Sequence, residues 1–237
     1  MSKRLDHYLV DHGMVKTRSQ AKMLIIQGDV IVNGSPQKKA SYAPKENDQI
    51  TIKRGYLYVS RGAYKLKEAL DLFKVDVAGK TILDAGASTG GFTQVLLEYG
   101  AKKVYAVDVG KDQLASLLMG DPRVVEMNGV NLRDPLDIDD LDFFVMDVSF
   151  ISSKLILPSL LSMMGDRLQG VVLFKPQFEC GKDRLSKGGI VSAENRLQTL
   201  SEYKEWLRDN NYTLLGECES PIRGKDGNTE YLLYLGR

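Results

Sequence analysis

The chain has 237 residues, 43% hydrophobic and 27% charged, a size that suits one large domain or a small-plus-large pair, with apolar material for one substantial core. No apolar run approaches the roughly 18 residues of a membrane span, and the charged start Met1-Ser2-Lys3-Arg4-Leu5-Asp6 lacks the apolar stretch of a signal peptide, so a cytoplasmic protein with no membrane partner is expected. The net charge of +1 conceals an asymmetry: residues 1–65 carry 12 Lys+Arg against 5 Asp+Glu, a net of +7, and the remainder a net of −6, which points to a polyanion-binding module on a body with another task.

Leu5, Tyr8 and Leu9, followed by Gly13, predict a short amphipathic helix with a glycine stop. A second helix is predicted through Ala21, Met23, Leu24 and Ile25 to Gly28, with Thr17 or Ser19 as its N-cap. Val30-Ile31-Val32 runs into Asn33-Gly34, a hairpin-turn dipeptide, and residues 49–52 close the unit as a further extended stretch. Arg4-Leu5-Asp6, Gly13, Thr17-Arg18-Ser19-Gln20-Ala21, Leu24-Ile25, Gly28-Asp29-Val30, Val32-Asn33-Gly34, Lys39 and Asp48-Gln49-Ile50 together resemble the S4-like RNA-binding domain. The resemblance spans residues 3–53 and implies a helical surface laid on structured RNA. Lys3, Arg4, Lys16, Arg18, Lys22 and Lys38 are its candidate phosphate contacts, of the kind that position a protein on RNA without reading sequence. Residues 1–54 are accordingly expected to form a small α+β domain, and residues 55–64 an interdomain linker.

From Lys65 a helix is predicted through Leu66, Ala69, Leu70 and Phe73, opening a large domain over residues 65–237. Strands and helices then alternate: a strand at 81–84, a helix at 92–99, a strand at 103–108, a helix at 113–119, and buried-type strands at 143–147 and 171–174. A long helix is predicted over 193–210, with late strands at 212–215 and 230–235. This alternation argues a doubly wound α/β sheet with helices on both faces.

Asp84-Ala85-Gly86-Ala87-Ser88-Thr89-Gly90-Gly91-Phe92 follows an apolar strand and opens a helix, which places it at the carboxyl edge of the sheet, where ligands bind. It is not a dinucleotide fingerprint, because Ser88 stands where the second glycine would approach a pyrophosphate. A glycine-rich turn of this kind suits S-adenosylmethionine, which has no phosphate. Asp108 ends the next strand 22 residues after Gly86, where an acidic residue is expected to grip both ribose hydroxyls. The expected cofactor contacts are thus Asp84, Gly86, Ala87, Ser88, Gly90, Gly91, Phe92 and Asp108. Ala78-Gly79-Lys80-Thr81 imitates the end of a P-loop, but it precedes a strand and has Lys74 in place of the first glycine.

Both histidines, His7 and His12, fall in the basic head, so acid–base work in the large domain rests on Lys, Asp, Glu or Tyr. Cys180 and Cys218 are too far apart to suggest a metal site, and none is expected. Lys65 begins the large domain, Asp147 ends one apolar strand, Lys175 ends the next, and Glu230 starts the last. Ser60-Arg61-Gly62-Ala63-Tyr64-Lys65-Leu66, Val145-Met146-Asp147, Lys175-Pro176-Gln177-Phe178-Glu179 and Asn228-Thr229-Glu230-Tyr231 resemble the segments carrying the Lys-Asp-Lys-Glu tetrad of FtsJ-like ribose 2′-O-methyltransferases. With the S4-like head and the glycine loop, the resemblance narrows to the TlyA (hemolysin A) family and covers almost the whole chain.

That resemblance implies a Rossmann-like class I methyltransferase sheet, S-adenosylmethionine as methyl donor, and transfer to the 2′-hydroxyl of a cytidine in ribosomal RNA, free or in ribosomal subunits. Lys65, Asp147, Lys175 and Glu230 would be the catalytic set, with Lys175 helping to deprotonate the hydroxyl. Asn131 falls where related enzymes place an acidic residue near the adenine, and Tyr58 where some carry tryptophan. The chain ends at Arg237 without the extension of longer members, and by the resemblance a narrower substrate range, the large-subunit site alone, is expected. The family's second name raises a membrane-active hemolysin, against which stand the missing spanning run, secretion signal and basic amphipathic helix. A non-catalytic ribosome-assembly factor is the other rival, and the intact tetrad and glycine loop argue against it.

Overall fold

The computed structural model describes residues 4–15, 17–52 and 58–237, apart from the side chains of Ser19, Met23 and Gln27. The chain divides into two compact units, the first ending at Leu57 and the second beginning at Tyr58. Lys3, Lys16, the end of the expected first domain at 53–54 and residues 55–57 of the expected linker lie outside the described residues.

The first unit consists of α1 (Leu5–Asp11), α2 (Arg18–Gln27) and a sheet of β1 (Val30–Val32), β2 (Ser35–Pro36) and β3 (Ile50–Ile52). The sheet is antiparallel in the order β2-β1-β3. Of the two expected caps, Thr17 is the one observed: its Oγ1 accepts the Gln20 N–H at 3.2 Å, satisfying one of the orphan donors of α2. Gly28, at φ 78°, ends that helix in the left-handed conformation. Asn33 and Gly34 both have positive φ, as a two-residue hairpin turn between right-twisted strands requires. Leu5, Leu9, Leu24, Ile25 and Val30 are buried in the unit's small core. Each contributes about 1.5–3 kcal/mol relative to exposure.

The second unit contains α3 (Gly62–Phe73), β4 (Thr81–Ala85), α4 (Gly91–Glu98), β5 (Lys103–Asp108), β6 (Val124–Asn128), β7 (Phe143–Met146), α5 (Leu157–Met164), β8 (Gln169–Phe174), α6 (Pro176–Glu179), α7 (Ala193–Asp209), β9 (Thr213–Glu219) and β10 (Tyr231–Gly236). Its seven strands run in the order β6-β5-β4-β7-β8-β10-β9, parallel from β6 to β8, with β10 antiparallel to both neighbours. One core joins the sheet to Leu66, Leu70, Val95 and Leu96 of α3 and α4. The other joins it to Leu157, Leu160, Tyr203 and Leu207 of α5 and α7. The sheet is thus covered on both faces, which is why β7 and the Val171–Phe174 stretch of β8 are unbroken apolar runs and β4 is buried along its whole length. The chain leaves β4 for β5 and β6 on one side and crosses to β7 on the other, so the strand order reverses at β4 and opens a crevice beyond its carboxyl end.

Three expectations change. The unit begins at Tyr58, ahead of the expected start at 65, because buried Tyr58 packs edge-on against Tyr64 and its hydroxyl donates to Glu98 on α4. The helix expected at 113–119 is instead a run of turns. There the Ala115 N–H donates to the Thr89 carbonyl rather than to its own segment, and Leu114 and Leu118 close over Gly90. Packing on the glycine loop overrides helix propensity in so short a stretch. β6 and α5 were not anticipated: β6 is a half-exposed strand at one end of the sheet, and α5 an apolar run with no polar face to show its period.

Candidate active site

The glycine turn between β4 and α4 lies at the switch point. Gly86, at φ 83°, has no room for a side chain, since a Cβ there would lie 2.8 Å from the Asp147 carbonyl oxygen. Ser88 takes φ 47° and donates its backbone N–H to Asp108 Oδ2 at 2.9 Å, while the Gly110 N–H donates to Oδ1 at 2.7 Å. Both carboxylate oxygens of Asp108 are thereby fixed in direction, and each keeps lone-pair capacity for a ligand hydroxyl. Asp108 and Asn131 share a cavity of about 370 Å³ with the apolar Val130, Leu132, Val148 and Ile156. Asn131 Oδ1 already accepts the Arg133 N–H, which leaves its amide hydrogens for a ligand. A fixed diol acceptor beside apolar walls suits the ribose and ring of a nucleoside.

A second cavity of about 400 Å³ shares Gly86, Ser88, Asp147, Ser149 and Phe150 with the first and is lined by Lys65, Asp147, Lys175 and Glu230. Four residues from α3 and the ends of β7, β8 and β10, scattered over 165 positions, therefore face one space. They form two ion pairs: Lys65 Nζ to Glu230 Oε2 at 2.5 Å and Lys175 Nζ to Asp147 Oδ1 at 2.5 Å. The Lys65–Glu230 pair is buried, with side-chain exposures of 8% and 3%, while Asp147 keeps 24%. Lys175 also donates to Ser149 Oγ at 2.8 Å. Each lysine is thus matched to one carboxylate within the same cavity.

Of the residues expected to contact the cofactor, Ala87, Ser88, Gly91 and Phe92 line the second cavity, whereas Asp84 and Gly90 line neither cavity. Gly90 is packed beneath Leu114 and Leu118. Asp84 is fully buried in β4, accepts a hydrogen bond from Thr93 Oγ1 at 2.6 Å, and leaves Oδ1 with no partner. Burial, reinforced by the charge of Asp147, outweighs the Thr93 bond and pushes its carboxyl up to about 7. Two residues outside the expected set stand beside the site: Ser149, which lines both cavities, and Glu179, whose carboxylate accepts hydrogen bonds from Ser152 and Ser153; no motif or spacing in the sequence links them.

In the first unit, Arg4 Nε and Arg18 Nη2 both donate to the buried carboxylate of Asp6, at 2.9 and 3.1 Å. Burial alone would raise that carboxyl, but the two guanidinium groups outweigh it and hold it below the usual range. Both arginines remain about half exposed, and Lys22 and Lys38 are exposed.

Residues 58–237 match the model of the FtsJ-like methyltransferase family, and residues 3–50 match the S4 domain. The 16S/23S rRNA (cytidine-2'-O)-methyltransferase TlyA of Mycobacterium tuberculosis is 41% identical, over 98% of this chain and 89% of its own. Hemolysin A of Brachyspira hyodysenteriae is 39% identical, over 98% of this chain and 99% of its own. A solved structure titled as a hemolysin candidate from Streptococcus thermophilus superposes with a TM-score of 0.74 at 39% identity, covering 99% of this chain and 88% of its own. No helix among the described residues is long and apolar enough to cross a membrane, and no cluster among them could hold a metal ion. The chain belongs to the TlyA family, in which an S4 domain precedes an FtsJ-like methyltransferase domain.

Proposed function

We propose that this protein transfers a methyl group from S-adenosylmethionine to the 2′-hydroxyl of a cytidine in ribosomal RNA, in the cytoplasm and with ribosomal subunits as partner. The observation that carries the reading is the convergence of two Lys–carboxylate pairs on one cavity that adjoins a second one lined by Asp108, Asn131 and apolar side chains. The relatives named as rRNA cytidine-2′-O-methyltransferases support the substrate class.

When bound, S-adenosylmethionine supplies an electrophilic methyl group. Asp108 would hold its ribose hydroxyls, Asn131 and the apolar walls its ring, and the bare backbone at Gly86 would let it lie against the turn. Lys175, after giving up one proton to solvent, stands as a neutral amine at the reacting hydroxyl and takes its proton as the oxygen attacks, and Asp147 stabilises the ammonium that forms. Glu230 fixes Lys65 within the same cavity, where its charge orients the target nucleotide. Because the methyl arrives activated, the protein contributes mainly position and electrostatics. Basic residues of the first unit, Lys22 and Lys38 among them, hold the RNA by its phosphates. Its small α+β domain, taken as residues 1–54, acts as an RNA-holding module joined to a catalytic one.

Purified protein incubated with tritiated S-adenosylmethionine and unmodified ribosomal subunits tests this. Label in alkali-resistant dinucleotides, absent with Lys175→Ala, is the expected result. Label on a base, or none at all despite cofactor binding, overturns the reading, and the second outcome favours an assembly factor.

A further inference from the structure

Two side chains among the described residues hydrogen-bond or ion-pair with Lys175 Nζ: Asp147 at 2.5 Å and Ser149 at 2.8 Å. A neutral amine has two N–H bonds and one lone pair. With one N–H on Asp147 and the other on Ser149, the lone pair is confined to the remaining direction. Asp147 alone would leave the amine free to rotate about its Cε–Nζ bond.

Ser149 lies on an irregular segment after β7, beside Phe150 at φ 64°, so no strand or helix holds it there. The other end of the segment is gripped by Glu179, the last residue of α6 and four positions beyond Lys175. Glu179 Oε1 accepts the backbone N–H of Ser153 at 2.8 Å and its hydroxyl at 2.7 Å, and Oε2 accepts the Ser152 hydroxyl at 2.5 Å. Since Ser153 donates to Glu179, Tyr203 of α7 donates to Ser153 Oγ, 2.6 Å away and fully buried. The segment carrying Ser149 is thereby stitched to the one carrying Lys175. Burial outweighs these bonds and raises the Glu179 carboxyl, so the clasp sits in a poorly solvated place where each donor counts.

We propose that Ser149 is a positioning residue for methyl transfer, orienting the Lys175 amine toward the substrate hydroxyl, and that Glu179, through Ser152 and Ser153, acts by holding Ser149 in place. The inference rests on the ribose-methylation reading and adds residues that the Lys-Asp-Lys-Glu pattern does not contain.

Ser149→Ala, Glu179→Ala, Glu179→Gln and the double variant Ser149→Ala/Glu179→Ala are compared in kcat, KM for RNA, cofactor affinity and Tm. Ser149→Ala should lower kcat roughly tenfold, the scale of one hydrogen bond to an ionisable group, with KM, cofactor affinity and Tm unchanged. Glu179→Ala should lower kcat similarly, Glu179→Gln should recover most of it, and the double variant should be no slower than the slower single one. A wild-type kcat in Ser149→Ala, or a double variant slowed by the product of the two factors, overturns the proposal. A second readout needs no turnover: the Lys175 ε-carbon resonance in 13C-lysine-labelled protein, assigned through its loss in Lys175→Arg. It should move in both alanine variants, and a resonance unmoved in both overturns the proposal. If wild type methylates no ribose, the functional reading fails by itself, while this resonance still decides whether Ser149 orients Lys175.

Discussion

Charge is buried differently in the two units. In the first, one buried carboxylate, Asp6, draws two half-exposed arginines, Arg4 and Arg18, which keep the outer part of their head groups in water. In the second, buried lysines are matched one to one with carboxylates around a cavity, and Asp84, beneath the glycine turn, is left with a single hydroxyl donor. The first arrangement fixes side chains that are also the proposed phosphate contacts, so on that proposal stability and RNA binding would draw on the same guanidinium groups. The second holds charged groups rigidly where water is scarce, which favours chemistry over stability, because a buried pair recovers its desolvation cost only with good geometry.

The comparison can be broken most strongly at Lys175. Lys175→Ala is expected to lower the methylation rate about 10³-fold while the far-UV circular dichroism and Tm stay near wild type, since what remains of the pair is the partly exposed Asp147. A variant that unfolds would place Lys175 among the structural groups. Glu230→Ala comes next: it strands the buried Lys65 ammonium and should cost about 3 kcal/mol in urea unfolding. The double change Lys65→Met/Glu230→Met should restore most of that stability without restoring activity. Recovery of activity would remove the pair from the mechanism.

Asp84 and Asp6 should respond to pH with opposite signs. The Asp84 carboxyl keeps its proton up to about pH 7 in the folded protein and loses it near its ordinary 3.8 when unfolded, so stability falls as pH rises between those values and is level above them. Asp84→Asn removes this slope, and the variant should gain stability relative to wild type between pH 4 and 7 by calorimetry. Asp6 titrates lower in the folded state than in the unfolded one. Its contribution is therefore present above the ordinary 3.8 and is lost as pH falls through the depressed folded value. Asp6→Asn should flatten that acid loss and cost the first unit only about 1 kcal/mol at neutral pH, because both arginines are half exposed and screened. An equal pH response from the two variants would dissolve the contrast.

Much of the site was legible in the residues. Gly86 and Ser88 mark a turn at the carboxyl edge of the sheet, and Asp108, Asp147 and Lys175 stand at or just beyond strand ends around the same cavities. The Ser149–Lys175 bond and the Glu179 clasp were not legible, since they join residues 26 or 27 positions apart whose only common property is where β7 and β8 end. Asp84 shows the same limit from the other side: its place in the motif suggested a cofactor contact, yet its side chain turns into the sheet's buried layer.

By itself the sequence determined local conformation and the class of chemistry: turns where glycine or asparagine accepts positive φ, strands where apolar residues run unbroken, a basic head, and a large domain whose acid–base groups are lysines and carboxylates. Only the tertiary structure decided that β10 enters antiparallel between β8 and β9, that residues 113–119 close as turns over Gly90, and which lysine meets which carboxylate. The physical reason is range. Backbone preference and periodicity act within a few residues, whereas strand order and ion pairing are set by burial and desolvation among groups that become neighbours only once the sheet has formed.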